Sequence, residues 1–337
     1  MTKLFRSEAS IFYSINYSND NCVLIELNAS EKVLITDGRY SEEAKLKGGF
    51  KVVESRDLIK ATLQILRKNR ILKAMLDTTE WSAEEFLSLS KSPIFWLQKP
   101  NFASKLRAIK KSDEILKIEF ACTYGKKAFD ELSKKLKIGM SEQELAFEMT
   151  LLMNSYGKQQ ISFEPIVAFN SGASLPHYRP SANKLEQNSA ILIDAGCKID
   201  GYCSDMTRTA FFENSANFEY VQKFKNQTHQ KAYDTVLKAH DLAIAKAKVG
   251  MKASELDKIA RDVIIDVGFE KAFKHGLGHG VGLEIHEAPS VSFRSKEVLE
   301  EGMVFTIEPG IYLDGEFGVR IEDVVVLKSD GAHILGL

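Results

Sequence analysis

The chain has 337 residues, of which 44% are hydrophobic and 27% charged, with a formal net charge of −1. That length allows two domains with a core each, and the balanced charge excludes nucleic acid or an anionic membrane as bulk electrostatic partners. Residues Met1–Glu8 lack the apolar stretch of a secretory leader, and no run of about 18 apolar residues occurs. A cytoplasmic protein without a membrane partner is therefore expected, and its cysteines (Cys22, Cys122, Cys197, Cys203) are read as reduced thiols.

Along the chain, Val23–Leu27 and Val33–Thr36 read as neighbouring strands, followed by helices over Ser41–Lys47 and Ser55–Lys68. Nothing in this first part gathers histidines and acids, so a structural or regulatory domain is expected there. Beyond Pro100, Ser112 reads as a cap before an amphipathic helix, and Ser141-Glu-Gln-Glu144 as a capping box opening the next. Leu145, Met149 and Leu152 share one face of that helix and are assigned to the core. Further helices are read over Glu219–Lys248 and Ser254–Val267, with strands over 190–196, 202–212, 303–313 and 319–327. Strand pairs segregated from helices indicate an α+β domain rather than a doubly wound one.

The chemistry concentrates in the second part. In Ile191-Leu-Ile-Asp-Ala-Gly196 and Tyr202-Cys-Ser-Asp-Met-Thr-Arg-Thr209, acids sit in apolar strands, where a charge is costly unless compensated. Asp200-Gly201 is a hairpin signal; a two-residue turn there pairs Ile199 with Tyr202, sets Asp194 opposite Thr207 and leaves Asp205 diagonal to Asp194. Thr207 would then supply a supporting hydroxyl. Glu308 and Glu322 occupy a second such pair of runs. Because side chains alternate, a two-residue Asp314-Gly315 turn would put these glutamates on opposite faces, whereas a three-residue loop or a bulge would set them opposite each other.

Between the acidic pairs lies His275-Gly-Leu-Gly-His-Gly-Val-Gly-Leu-Glu-Ile-His-Glu287. His275 and His279 have i,i+4 spacing, but the interleaved glycines argue against a metal-binding helix and for close backbone approach. His229, His240 and His333 read as surface residues. Four carboxylates and one imidazole (Asp194, Asp205, Glu308, Glu322 and His279) make a hard donor set that suits Mn²⁺ foremost, with Co²⁺, Zn²⁺ or Fe²⁺ also accommodated. Four carboxylates exceed the needs of one ion and match two ions roughly 3.5–4 Å apart, which would share a bridging hydroxide and polarise a carbonyl.

With these residues in view, the chain resembles the pita-bread metallopeptidases, in the branch of aminopeptidase P and prolidase. Val33-Leu-Ile-Thr-Asp-Gly-Arg-Tyr40 resembles the family's creatinase-like N-terminal domain, implying α/β residues 1–106 and a catalytic domain of residues 107–337. The resemblance implies that Asp194 is a terminal ligand of the first metal, Asp205 and Glu322 bridge the two, and His279 and Glu308 complete the second. It further implies Glu308 as proton shuttle, His177 and His286 as catalytic and substrate-binding, and His275 and Arg320 as substrate-binding. His275 and the Val319-Arg-Ile-Glu322 pattern favour the proline-directed branch over methionine aminopeptidases, and the full ligand set separates the chain from creatinase. The implied substrates are peptides with proline in second position, and the implied assembly is a homodimer. The alternatives are a prolidase restricted to Xaa-Pro dipeptides and a non-catalytic partner-binding protein. Against the family pattern, the N-terminal domain is expected to lack its opening helix and first strand.

Overall fold

The computed structural model describes residues 1–155 and 157–337. The chain divides into two compact units, Met1–Arg107 and Ala108–Leu337.

The first unit is built on a six-stranded sheet. Cys22–Glu26 and Lys32–Thr36 pair antiparallel at its centre, Thr2–Phe5 lies beside the former, and Lys51–Glu54, Lys73–Leu76 and Phe95–Gln98 extend it by parallel pairing. The near-continuous apolar runs of the central strands follow from burial on both faces, with Val23, Leu24, Ile25, Leu34 and Ile35 all inaccessible to solvent. The unit does open with a strand, Thr2–Phe5, and a helix, Glu8–Ile15, capped by the Ser7 side chain accepting from the Ser10 N–H. The expectation that both are missing is thereby corrected: four strand residues are too few to show alternation, and the helix spans only eight residues.

The second unit contains two helix-and-sheet assemblies. In one, helices Ser112–Ser133 and Glu142–Met153 share a core with the sheet formed by Ile166–Phe169, Ser189–Ala195 and Met206–Phe212. Leu145, Met149 and Leu152 are buried in that core, as their spacing requires. In the other, helices Gln227–Lys246 and Ala253–Ile265 share a core with a sheet that includes Gly278–Gly280, Glu287–Val291, Val304–Ile307 and Asp323–Lys328. A single bridge between Thr207 and Glu322 ties the two sheets together, and the Glu322 N–H donates to the Thr207 carbonyl at 3.1 Å.

Two helical expectations are corrected, the first by tertiary contacts. The helix read from Glu219 begins only at Gln227, because Tyr220 and Gln222 are recruited elsewhere: the Tyr220 hydroxyl donates to Asp323 at 2.8 Å, and Gln222 accepts from the Phe211 N–H at 3.1 Å. Asn226 then caps the helix through the N–H groups of Thr228 and His229. Ser112 is the first helical residue, with Lys111 at the cap position. Among the described residues, no helix is long and apolar enough to cross a membrane.

Candidate metal centre

The hairpin at Asp200-Gly201 has the register that a two-residue turn imposes, with Ile199 opposite Tyr202 and Thr207 opposite Asp194. In the second acidic pair, Leu313 faces Phe317, so the connection is the three-residue Asp314–Glu316 loop. Gly310 faces Arg320, and on the far side of the Pro309 break Ile307 faces Asp323, so the register is kept and Glu308 falls opposite Glu322. The strand Gly278–Gly280 carries His279 between these hairpins. A Cβ at Gly278 would lie 2.0 Å from the Thr306 carbonyl oxygen, and one at Gly280 2.2 Å from that of Ala288. The glycines on either side of His279 are therefore a packing requirement that lets the imidazole-bearing strand sit directly against its neighbours.

All nine residues singled out from the sequence (Asp194, Asp205, His279, Glu308, Glu322, His275, His286, His177 and Arg320) line one cleft of about 470 Å³. Ligand atoms of Asp205, His279 and Glu322 lie within 4.8 Å of one another. His279 Nε2 is 3.6 Å from Asp205 Oδ2 and 3.5 Å from Glu308 Oε1. The Thr306 hydroxyl accepts from the His279 N–H at 3.1 Å and donates to Glu308 Oε1 at 3.2 Å, fixing both groups. Thr207 donates to Glu322 Oε2 at 2.6 Å. His177 and His286 are exposed in the cleft, and the His286 ring stands edge-on to His279 at 4.2 Å between centroids.

The donor set carries the marks of a cation site. Asp194 Oδ1 and Asp205 Oδ1 are buried without a hydrogen-bond partner, a costly state for a carboxylate oxygen. Burial, together with the neighbouring Glu322, Asp194 and Glu308 carboxylates, drives the Asp205 carboxyl far above its ordinary range; burial and the Glu308 and Asp194 charges do the same to Glu322. Burial and the Asp194 charge raise Glu308 to about 8. His279 is pushed down to about 4, first by burial and then by His286, which keeps its imidazole neutral and able to coordinate. Carboxylates crowded to this extent need positive charge to remain ionised, and divalent cations supply it. The residues therefore fit a metal centre.

Arg320 is buried and His275 half-buried in the wall of the cleft. The buried Arg320 guanidinium donates to Asp194 Oδ2 at 2.5 Å, to the Thr207 hydroxyl at 3.0 Å, to the Tyr312 hydroxyl at 3.0 Å and to the Pro176 carbonyl at 3.3 Å. His275 Nε2 pairs with the same Tyr312 hydroxyl at 2.8 Å, and burial followed by the Arg320 charge pushes this histidine down to about 3. Tyr312 thus joins two of the singled-out residues, and nothing in its strand pattern announced that role.

His240 contradicts its reading as a surface residue. It is wholly buried, with Nε2 3.0 Å from Asp323 Oδ2. Arg208 donates to Asp323 Oδ1 at 2.7 Å and to the Glu322 carbonyl at 2.7 Å, so this ionic group braces the main chain of a candidate ligand. The alternating helix pattern around His240 could not reveal an acid contributed by a distant strand. Glu142 was likewise read only as part of a capping box. It is fully buried and accepts from Phe169 N–H, Tyr178 Oη, Ser181 N–H and Ser181 Oγ at 2.6–2.9 Å, which secures the segment that carries His177.

Known proteins share this architecture. Residues 117–329 match the model of metallopeptidase family M24. The uncharacterized peptidase YqhT of Bacillus subtilis is 34% identical over 332 residues, which are 97% of this chain and 91% of the relative. An Xaa-Pro dipeptidase from Bacillus anthracis superposes with a TM-score of 0.90 at 30% identity, covering 99% of this chain and 92% of that one. An X-Pro aminopeptidase from Thermotoga maritima gives 0.88 at 32% identity, covering 100% and 95%. The sequence match over the acid- and histidine-bearing part, together with the likeness of fold over the whole chain, establishes that this chain belongs to metallopeptidase family M24, a hydrolase with the pita-bread fold.

Proposed function

We propose that the chain is an aminopeptidase that cleaves the bond before proline at the N-terminus of peptides, releasing the first residue. Proline specificity is supported by the neighbours named Xaa-Pro dipeptidase and X-Pro aminopeptidase. The observation that carries the aminopeptidase reading over the dipeptidase one is the charge of the cleft lining. A dipeptide substrate presents a free carboxylate beside its proline, and burying it calls for a cation. Among the described residues lining the cleft, the only permanent cation is Arg320, and its guanidinium is already committed to Asp194, Thr207, Tyr312 and Pro176. Ser290 and Ser292 offer neutral hydroxyls to the same cleft, which suits a continuing peptide chain.

Asp194, Asp205, His279, Glu308 and Glu322 would hold two divalent ions, Mn²⁺ foremost given the oxygen-rich donors. When bound, the ions supply Lewis acidity for the scissile carbonyl and lower the pKa of water. The protein residues then act as follows. Glu308, held by Thr306 through Oε1, takes the proton of the attacking water and passes it to the departing proline nitrogen. His286 and His177 face the cleft as donors to the oxyanion and the substrate backbone. Arg320, locked on Asp194, orients that carboxylate while Tyr312 links it to His275. A homodimer belongs to the same reading, on the strength of the family resemblance alone.

The test is turnover of an Xaa-Pro dipeptide against an Xaa-Pro-Yaa-Zaa tetrapeptide by Mn²⁺-loaded protein. Cleavage of the tetrapeptide after Xaa is expected. Turnover of the dipeptide alone would contradict the aminopeptidase reading and favour the dipeptidase one.

A further inference from the structure

The strand pair that carries Asp194 has an irregularity at the mouth of the cleft. Gln160 and Ile161 face Lys198 and Cys197, and the Ser162 N–H donates to the Gly196 carbonyl at 2.9 Å. The pairing then resumes with Ile166 opposite Asp194. Residues Ser162 to Pro165 thus face only Ala195 and Gly196. Excess residues of this kind form a bulge, which interrupts the ladder and re-aims side chains. Pro165, with no N–H to return to the ladder, favours the interruption.

The bulge turns Phe163 and Glu164 into the lining of the cleft, which also includes Ile166 and Ile285. The other acids of that lining are the four candidate metal ligands. Glu164 stands apart from them: it is exposed and, among the described residues, makes no hydrogen bond or ion pair. A cleft lining that combines Phe163, Ile166 and Ile285 with an uncommitted carboxylate is complementary to a side chain with a long apolar stem and a cationic head.

We propose that Glu164 is a specificity-determining residue that selects lysine or arginine as the first residue of the substrate. The inference rests on the aminopeptidase reading above. Its placement at the first residue follows from the strand register. Ile166 is opposite Asp194, so the bulge adjoins the strand that carries this carboxylate, which suits a residue bearing a free amine as well as a cationic side chain.

The experiment compares kcat/KM for Lys-Pro-Ala-Ala and for the same peptide with norleucine in first position, which keeps the stem and removes the ammonium. A partly exposed ion pair favours lysine by roughly three- to tenfold in the wild type. In Glu164→Gln that ratio is expected to fall to near one, and in Glu164→Lys below one. A ratio that survives Glu164→Gln would overturn the proposal, as would a parallel fall of both substrates, which would mark a contact with the α-amine instead. Calorimetric binding of lysinamide against norleucinamide reads the same ratio without turnover. If the wild type cleaved neither peptide, the aminopeptidase reading would fall, while the binding ratio would still decide the role of Glu164.

Discussion

The ion pair between Lys110 and Glu287 gives a sharp energetic prediction. Both side chains are 1% exposed, with Nζ 2.8 Å from Oε1. Glu287 follows His286 directly and pairs with Gly280, the neighbour of His279, so the pair anchors the strand behind two site residues. The carboxylate packs directly against the Gly282 backbone, where a Cβ would lie 2.2 Å from Glu287 Oε1. Lys110→Met keeps the stem and removes the charge that faces Glu287. Removing one partner of a buried pair costs roughly 3–5 kcal/mol, whereas replacing both by apolar groups of similar size is often close to neutral. Lys110→Met should therefore be strongly destabilised, and adding Glu287→Leu should recover a large part of the loss. Tryptophan fluorescence is the wrong probe, since Trp81 and Trp96 both lie in the first unit. Urea unfolding followed by far-UV circular dichroism reads both units, and hydrogen exchange on residues 278–291 isolates the second. A loss below about 1 kcal/mol in the single variant would refute the reasoning, as would a double variant less stable than the single.

Three further outcomes follow from particular side chains. Glu142→Ala strands donors from Phe169, Tyr178 and Ser181, and should cost roughly 2–4 kcal/mol while lowering kcat/KM by displacing His177; full activity would contradict the positioning role. Burial opposes charging of His240, but Asp241 and Asp323 outweigh it and raise its pKa. Its contribution is therefore complete below the unfolded value of about 6.5 and fades as pH rises through the higher folded value. The gap in Tm between wild type and His240→Gln should narrow as pH rises from 6 toward 9, and a gap independent of pH would exclude a charged His240. Glu308→Gln should lower kcat by roughly 10²–10⁴ while leaving peptide affinity much less affected; wild-type turnover would reject Glu308 as the proton shuttle.

Much of the strand geometry around the candidate metal centre was legible in the sequence, because register is local. Asp200-Gly201 dictates its own register, which puts Asp194 opposite Thr207, and the alternation of side chains made the three-residue loop a condition for Glu308 to meet Glu322. The glycines around His279 likewise signal the close backbone approach to the Thr306 and Ala288 carbonyls. The rest depends on partners remote in sequence. No local pattern pairs Lys110 with Glu287, His240 with Asp323, or Arg320 with Asp194. Helical periodicity overran the segment before Gln227 for the same reason: Tyr220 and Gln222 are held by strands that a window around them does not contain. The bulge at Ser162–Pro165 was also hidden, since it arises from the mismatch between two stretches of pairing rather than from either alone.

The central claim is that Asp194, Asp205, His279, Glu308 and Glu322 together hold two divalent ions. Calorimetric titration of chelator-treated protein with Mn²⁺ tests it most directly. Two ions bound per chain are expected in the wild type, with the stoichiometry lowered in Asp205→Asn. A wild-type protein that binds one ion or none would contradict the two-metal centre.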